Sequence, residues 1–309
     1  MIYFLDGDKL EARKEDRLNE VDFRPCLGIL DGGDLDREKE YLQLPLRFIS
    51  EIFRGKSNKL ESHEGFDYIS LCIPDFQDLA GEGHRIAVYC RSDLLLFLYE
   101  DPQGRALLTG LAEALKEKKV KSLSLDRVLY EFFDRLTKED SGRMEAMEQE
   151  IFELEESLML APDKSCISDI IDLRRRLLVL KRYYEQLLDI AEAIEENEND
   201  LHSRSIIRAF HMLTGRTDRL FDSVVNLRDY VSQVREAYQA QVDIGQNEIM
   251  RLFTVITAIF LPLTLIAGWY GMNLKMPEFQ WAYSYPVVIL ASAGVAVGSC
   301  LYFKKKGWF

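Results

Sequence analysis

The sequence predicts an α+β membrane protein with an N-terminal α/β domain, a long helical stalk and two C-terminal transmembrane helices. Short strand-like runs fill the first 125 residues, sustained helical periodicity follows, and two long uncharged stretches come last. We therefore expect three segments, residues 1–125, 126–245 and 246–309. Only the last of them is expected to enter a bilayer.

The N-terminal segment alternates strand-like runs with turn residues. Residues 68–73 and 86–90 are rich in β-branched and aromatic side chains, and proline and glycine between them supply turn chemistry. Residues 94–99 predict a third strand, and residues 104–118 predict a helix. Together these elements predict an α/β domain with a small sheet.

The middle segment has the apolar spacing of long helices. Apolar residues recur at alternating steps of three and four, which indicates helices that pack along a seam. The first run is Leu173, Leu177, Leu180, Tyr184, Leu187, Ala191 and Ile194. The second run is Ile206, Phe210, Leu213, Thr217, Leu220, Val224, Leu227, Val231, Val234 and Tyr238.

An acidic tip, residues 195–200, separates the two runs. The glycine-centred ligand spacing of an EF-hand is absent, so we expect a solvated helix-to-helix turn here and no calcium loop. No break separates the second run from the uncharged stretch beyond it. We therefore predict one helix from about residue 203 to about residue 270, on the order of 100 Å long.

Two uncharged stretches, residues 252–270 and 286–303, predict membrane helices joined by an outer loop at residues 271–285. A bilayer core needs about 20 apolar residues in a helix, and the range is about 17–25. The alternative is a pair of buried helices in a soluble core. Three lysines directly after the second stretch suit a lipid–water boundary and favour the membrane.

Charge and cysteine content constrain the compartment. The chain has 52 acidic and 39 basic residues, an excess of acid that does not favour nucleic acid as a partner. Its five cysteines form no Cys-x-x-Cys pair, which is typical of the reducing cytosol. The N-terminal residues resemble neither a signal peptide nor a transit peptide. Basic residues at Arg251 and 304–306 flank the two spans, so both termini are expected to be cytosolic.

Polar residues run along one side of the first membrane helix, again at steps of three and four. The stripe consists of Asn247, Met250, Thr254, Thr257, Leu261, Thr264 and Gly268. Four of these seven side chains are polar, and polar groups in hydrocarbon are costly unless they face protein or water. Taken alone, the pattern fits a water-lined pore within an oligomer and helix–helix packing through small residues equally well.

The same region carries an ordered set of motifs that resembles the CorA family of divalent-cation channels. The motifs are Gly271-Met272-Asn273, Asn247 to Arg251, Phe260 to Gly268, Met276-Pro277-Glu278 with Trp281, and the basic end Lys304 to Phe309. The resemblance implies a homopentamer in the cell (inner) membrane that admits Mg²⁺, or cobalt, under the membrane potential. It implies no enzyme and no organic cofactor, with Mg²⁺ as the transported ion and a possible regulator. The sequence itself contains no phosphate-binding G-x-x-x-x-G-K-[ST] loop.

The resemblance also assigns roles to residues. Asn247, Met250, Leu261 and Thr264 match pore-lining positions, and rings of Met250 and Leu261 are apolar constrictions that gate by dewetting. The resemblance assigns ion selection at the pore entrance to Gly271, Met272, Asn273 and Glu278. In this assignment Asn273 holds a hydrated ion through its waters, because magnesium dehydrates reluctantly. Gly-Met-Asn is equally suited to a helix C-cap. The lysines form a basic collar or a generic interfacial anchor: Lys304, Lys305 and Lys306.

Two features depart from the family pattern. Lys275 stands in a shortened outer loop where the family typically has an acid, so it would place positive charge at the mouth. Residues 210–213, at the family's magnesium-sensing stretch of the stalk, contain no acid, and Asp218 and Asp222 lie further on. The preferred ion and the regulatory site are therefore left open by the sequence.

Two other functions compete with magnesium influx. The first is a zinc or cobalt transporter on the same fold, working by efflux or proton coupling, which membrane-embedded carboxylates would favour. Neither span contains one. The second is a membrane-anchored cytosolic scaffold without transport, which predicts no polar stripe in the first span.

Overall fold

The computed structural model describes residues 1–6, 9–12, 25–38, 44, 58–117, 123–160, 165–272 and 276–308. The chain forms two compact units, Met1–Val234 and Arg235–Phe309. The predicted segment boundaries at residues 125 and 245 stay predictions.

A seven-stranded sheet lies in the described N-terminal part of the first unit. Its strands are β1 (Ile2–Asp6), β2 (Lys9–Ala12), β3 (Cys26–Leu30), β4 (Lys59–His63), β5 (Phe66–Ile73), β6 (His84–Arg91) and β7 (Leu94–Tyr99). The order across the sheet is β2-β1-β3-β7-β6-β5-β4. Neighbouring strands are antiparallel except β3 and β7, which are parallel. The three strands predicted from sequence are confirmed as β5, β6 and β7.

Strand β7 shows why the sheet is buried on both faces. Its first five residues are apolar and buried, a pattern typical of a strand covered on both sides. Leu94, Leu96 and Leu98 belong to an apolar cluster with residues of β1, β3, β5 and β6. Side chains alternate along a strand, so Phe97 points to the opposite face, where its ring centroid lies 5.0 Å from that of Phe132.

The helices follow the predicted order. They are α1 (Gly32–Glu38), α2 (Pro102–Glu117), α3 (Leu125–Thr137), α4 (Asp140–Leu160), α5 (Ser165–Glu196), α6 (Arg204–Tyr270) and α7 (Ser284–Lys305), with a 3₁₀ turn at Pro277–Gln280. The helix predicted at 104–118 is α2. The single helix predicted from about residue 203 to about residue 270 is α6, and it is unbroken.

Both heptad runs form a seam inside the first unit. Every residue of the first run is buried, and so is every residue of the second run except Tyr238, at its end. Phe210 of α6 packs edge-on against Phe133 and Tyr130 of α3, with ring centroids 5.7 Å apart in each pair. The seam therefore joins α6 to helices of its own chain.

The acidic tip is the turn between α5 and α6, as predicted, but it is not simply solvated. Asn197 and Asp200 have positive φ values of 49° and 52°. Between them, the Asn199 amide donates to the His63 carbonyl at 2.8 Å and to the Asp67 carboxylate at 2.7 Å. These bonds tie the tip to the hairpin of β4 and β5.

A buried carboxylate holds the start of α4. Asp140 is fully buried, and it accepts hydrogen bonds from the Tyr184 hydroxyl at 2.8 Å and from the Arg143 guanidinium at 2.6 Å. Burial raises the pKa of Asp140, and the Tyr184 bond and the Arg143 charge oppose that rise. This network fixes the α4–α5 packing at a polar point in the core.

Candidate functional site

Among the described residues, two helices are long and apolar enough to cross a membrane, Arg204–Tyr270 through its C-terminal part and Ser284–Lys305. Only 6% of the residues in the most apolar window of each helix are buried. A core helix of a soluble protein would be mostly buried, so this exposure argues against the soluble-core alternative.

One face of α6 within the apolar span is covered. Val255 is 3% exposed, and it and Phe303 of α7 are the two buried residues among those described in the second unit. The half-buried residues of the span continue this face: Ala258, Ile259, Pro262, Leu263 and Ile266. Their spacing from Val255 places them on one side of the helix.

The polar stripe lies on the other side of the helix. All seven of its members are exposed. At about 100° per residue they fall within an arc of about 100°, roughly 140° around the helix from the centre of the covered face. Met250 and Leu261, the proposed constrictions, are each 63% exposed. The structure thus keeps the stripe together and leaves it exposed among the described residues of the chain.

One threonine of the stripe presents a hydrogen-bond acceptor. The Thr254 hydroxyl donates its proton to the Met250 carbonyl at 2.7 Å. A hydroxyl has one proton and two lone pairs, so Thr254 offers only acceptor capacity to anything beside the helix. Water molecules bound to a cation point their protons outward. An acceptor surface of this kind suits a hydrated cation.

Helix α6 ends where the Gly-Met-Asn motif begins. The Gly271 amide donates to the Ala267 carbonyl at 2.9 Å, and the Met272 amide donates to the Trp269 carbonyl at 3.5 Å. A Cβ atom at Gly271 would lie 2.8 Å from the Ala267 oxygen, so the close turn excludes a side chain. Helix α6 therefore ends in a close turn at Gly271. Asn273, the residue predicted to govern ion entry, and the neighbouring Lys275 lie outside the described residues.

The described part of the predicted outer loop, residues 276–285, is rich in aromatic side chains. Glu278 is exposed within the 3₁₀ turn, and its carbonyl accepts from the Trp281 amide at 3.2 Å. Trp281, Tyr283 and Tyr285 are all more than half exposed. Amphipathic rings of this kind are enriched at membrane–water interfaces. The sequence analysis included Trp281 only as part of a family motif and did not identify the two tyrosines. The enrichment of aromatic residues next to membrane spans would have identified them.

The basic end of α7 is more organised than a charge run. Lys304 and Lys305 are exposed. The Lys306 ammonium lies 5.3 Å from the Trp308 ring centroid and 5.7 Å from that of Tyr302. The Arg251 guanidinium of α6 also faces the Trp308 ring, at 5.8 Å. Nothing in the sequence spacing indicated that Arg251 and Trp308 meet.

The described residues contain no group of three or more His, Cys, Asp or Glu side chains close enough to hold a metal ion. Asp218 and Asp222 are exposed on α6, one turn apart. Neither carboxylate has a metal-binding partner set within the described part of the chain.

Comparisons with known proteins agree with this architecture. Residues 34–305 match the model of the CorA-like Mg²⁺ transporter protein family. The cobalt/magnesium transport protein CorA of Thermotoga maritima is 34% identical over 184 residues, which cover 59% of this chain and 52% of that protein. The putative metal ion transporter YfjQ of Bacillus subtilis is 31% identical over 183 residues, 59% of this chain and 57% of the relative. The chain thus spans about half the length of the curated relatives that it matches.

A solved structure gives the fold over the whole chain. The complete CorA magnesium transporter of Methanocaldococcus jannaschii superposes with a TM-score of 0.83 at 20% identity, covering 100% of this chain and 99% of that one. At that identity the likeness establishes the fold, which comprises a soluble α/β part, a long helix and two apolar C-terminal helices. Because the family model covers most of its length, the chain belongs to the CorA-like Mg²⁺ transporter family of membrane proteins.

Proposed function

We propose that this protein is a homopentameric channel that passes Mg²⁺, with cobalt as a second ion, through the cell (inner) membrane into the cytosol. The observation that carries the proposal is the exposed polar stripe of α6, opposite the face that Val255 marks as covered.

The stripe needs water or protein against it once the helix is in a bilayer, because exposed polar groups in hydrocarbon are costly. Symmetric copies that place α6 around an axis satisfy all stripes at once and enclose a polar path. Helix packing through small residues would also bury threonine and glycine. It gives no reason for Asn247, whose amide is exposed at the start of the stripe.

Met250 and Leu261 lie three turns apart on the stripe, and each would form an apolar ring around the axis. Such rings close a pore by excluding water. Between and around them, the hydroxyls of Thr254, Thr257 and Thr264 accept hydrogen bonds from the hydration shell of the ion. The path therefore alternates wet and dry zones, as a gated channel requires.

Ion entry is assigned to Asn273 on the family motif, together with Gly271, Met272 and Glu278. A neutral carboxamide accepts hydrogen bonds from the waters around magnesium and does not require their removal. Gly271 supports this role because its backbone turn places the motif directly at the end of α6. Lys304 to Lys306 form the collar at the cytosolic face, where they also anchor α7 at the lipid boundary.

The driving force is the membrane potential. A divalent ion moving across 100 mV gains about 4.6 kcal/mol, twice the single-charge value. That energy favours accumulation by more than a thousandfold, since about 1.4 kcal/mol is a factor of ten. No nucleotide hydrolysis is needed. We also propose that cytosolic Mg²⁺ regulates the channel.

The test is reconstitution of the full chain in liposomes that contain a magnesium-sensitive dye, with and without an imposed potential. We expect saturable, potential-driven Mg²⁺ uptake that Asn273→Ala abolishes while the oligomer stays intact. The matched control is Asn226→Ala, at an exposed asparagine of α6 in the first unit. Zinc added as a competitor tests the zinc alternative. Equal Mg²⁺ uptake by the wild type and Asn273→Ala would refute the role of Asn273 in ion selection. If the wild type carries no ion at all, the channel function is refuted and the scaffold alternative is favoured.

A further inference from the structure

The C-terminal end of α7 is closed by a Schellman motif. Gly307 has a positive φ of 69°, and its amide donates to the Lys304 carbonyl at 3.1 Å. The Trp308 amide donates to the Phe303 carbonyl, also at 3.1 Å, and the Phe303 and Trp308 rings lie 5.5 Å apart. This is the hydrogen-bond pair and the apolar contact that define the motif. The position of the Trp308 ring is thereby set by the backbone of α7.

The ring meets a cation from the other helix. The Arg251 guanidinium of α6 lies 5.8 Å from the Trp308 centroid, and Lys306 lies 5.3 Å from it. Both distances fall within about 6 Å, the range in which a cation is attracted to an aromatic face, and tryptophan is the strongest of the aromatic partners. Trp308 therefore connects the end of α7 to the base of the apolar span of α6.

The contact at Arg251 restrains rotation of α6 about its own axis, and this rotation sets the direction in which the polar stripe faces. Arg251 lies one turn before Val255, at the foot of the covered face, and its neighbour Met250 belongs to the exposed stripe. Successive residues are about 100° apart around a helix, so a modest rotation of α6 would carry Met250 out of the stripe direction. Apolar burial restrains that rotation weakly, because Val255 and Phe303 are the two buried residues among those described in this unit.

We propose that Trp308 is a positioning residue for the channel: the Schellman motif holds its ring, and the ring holds Arg251, which sets the rotation of α6 that keeps the stripe on the side opposite Val255. The proposal rests on the proposed channel function for its effect on flux. The contact itself is testable without any transport.

The first experiment reports the contact alone. In the full chain with Trp269→Phe and Trp281→Phe, Trp308 is the remaining tryptophan of three. Arg251→Ala in this background is expected to shift the Trp308 emission to longer wavelength and to raise its quenching by acrylamide. Lys305→Ala is the matched control, an exposed cation of the same helix end, and it is expected to change neither. Unchanged emission and quenching in Arg251→Ala would overturn the proposal.

The second experiment measures basal Mg²⁺ leak of the reconstituted chain at zero potential. Trp308→Ala is expected to raise the leak about fivefold, the ratio for loss of one cation–π contact of about 1 kcal/mol. Trp308→Phe, which keeps an aromatic face, is expected to restore most of the closure. Arg251→Ala is expected to match Trp308→Ala, and the double variant to leak no more than either, because both changes break the same contact between α6 and the end of α7.

Additive effects of the two substitutions, or a wild-type leak in a folded Trp308→Ala oligomer, would overturn the positioning role. If Trp308→Ala does not assemble, Arg251→Ala decides the same question by the same readout. A wild type that carries no Mg²⁺ would refute the channel function, and the fluorescence result would then decide the Trp308–Arg251 contact separately.

Discussion

Gly271→Ala is the sharpest test of the turn that begins the Gly-Met-Asn motif. The added Cβ atom would lie 2.8 Å from the Ala267 carbonyl oxygen, a backbone atom of α6. That oxygen already accepts the Gly271 amide at 2.9 Å, so it cannot retreat without stretching this hydrogen bond. Restoring an ordinary contact requires a shift of a few tenths of an ångström between two atoms that the helix end holds together.

The expected cost is the sum of two effects. Weakening one backbone hydrogen bond costs about 1 kcal/mol, and distorting angles and peptide planarity to make room costs about 1 kcal/mol more. A total of about 2 kcal/mol lowers the population of the native turn roughly 30-fold in each chain. Because the motif follows directly, Mg²⁺ uptake at subsaturating concentration should fall at least tenfold, while the soluble unit stays folded.

The assay pairs liposome uptake with thermal unfolding of the detergent-solubilised oligomer. Gly294→Ala is the matched control, because a Cβ atom there meets nothing within 4 Å and alanine is the better helix former. We expect Gly294→Ala to transport normally. Normal uptake by Gly271→Ala as well would refute the reasoning, since the close approach at the helix end would then carry no cost to the motif.

Three further outcomes are expected. Met250→Gly should raise resting conductance in liposome recordings, since a wider and less apolar ring wets more readily; an unchanged leak would place the gate elsewhere, with Leu261 next. Lys275→Glu should raise the apparent Mg²⁺ affinity with little change in maximal flux. The effect should be clearest at low salt, because the Debye length is about 8 Å at physiological ionic strength. An affinity equal to that of the wild type at every salt concentration would show that Lys275 does not lie at the pore entrance. Asp140→Asn should flatten the pH dependence of thermal stability. Burial raises the pKa of Asp140 above its ordinary 3.8, so the stability that Asp140 contributes is fully present below that pH and is lost as the pH rises through the folded-state pKa. Parallel plots of melting temperature against pH for the wild type and the variant, between about pH 3 and pH 7, would contradict this.

Local pattern was enough to predict the elements. The 19 uncharged residues of 252–270, the heptads from Ile206 to Val234 and the β-rich run at 94–99 each specify an element without reference to distant residues. Helical and strand periods are local properties of the backbone, so amphipathic spacing reveals both the element and its apolar face. The seven stripe positions were predicted in this way, and the structure leaves them on one exposed side of α6.

Tertiary structure decided what each face meets. The heptad spacing of the stalk continues into the apolar span and reaches the covered position Val255. Its positions there are residues 248, 252, 255, 259, 262 and 266. The polar stripe occupies a different set of positions with the same steps of three and four. Both registers have the same period, so spacing alone gave no means of choosing which of them is covered. That choice depends on the partner surface, which lies far away in sequence.

The sequence by itself determined that this protein has two membrane helices, a long stalk and the motifs of its family, because hydrophobicity and periodicity depend only on neighbouring residues in the chain. Only the tertiary structure decided that the Asn199 amide ties the helical tip to the sheet, and that the Trp308 ring meets Arg251. Each of these contacts joins residues more than fifty positions apart. Such contacts exist only where folding brings two surfaces to within bonding distance, and no local signal encodes that distance.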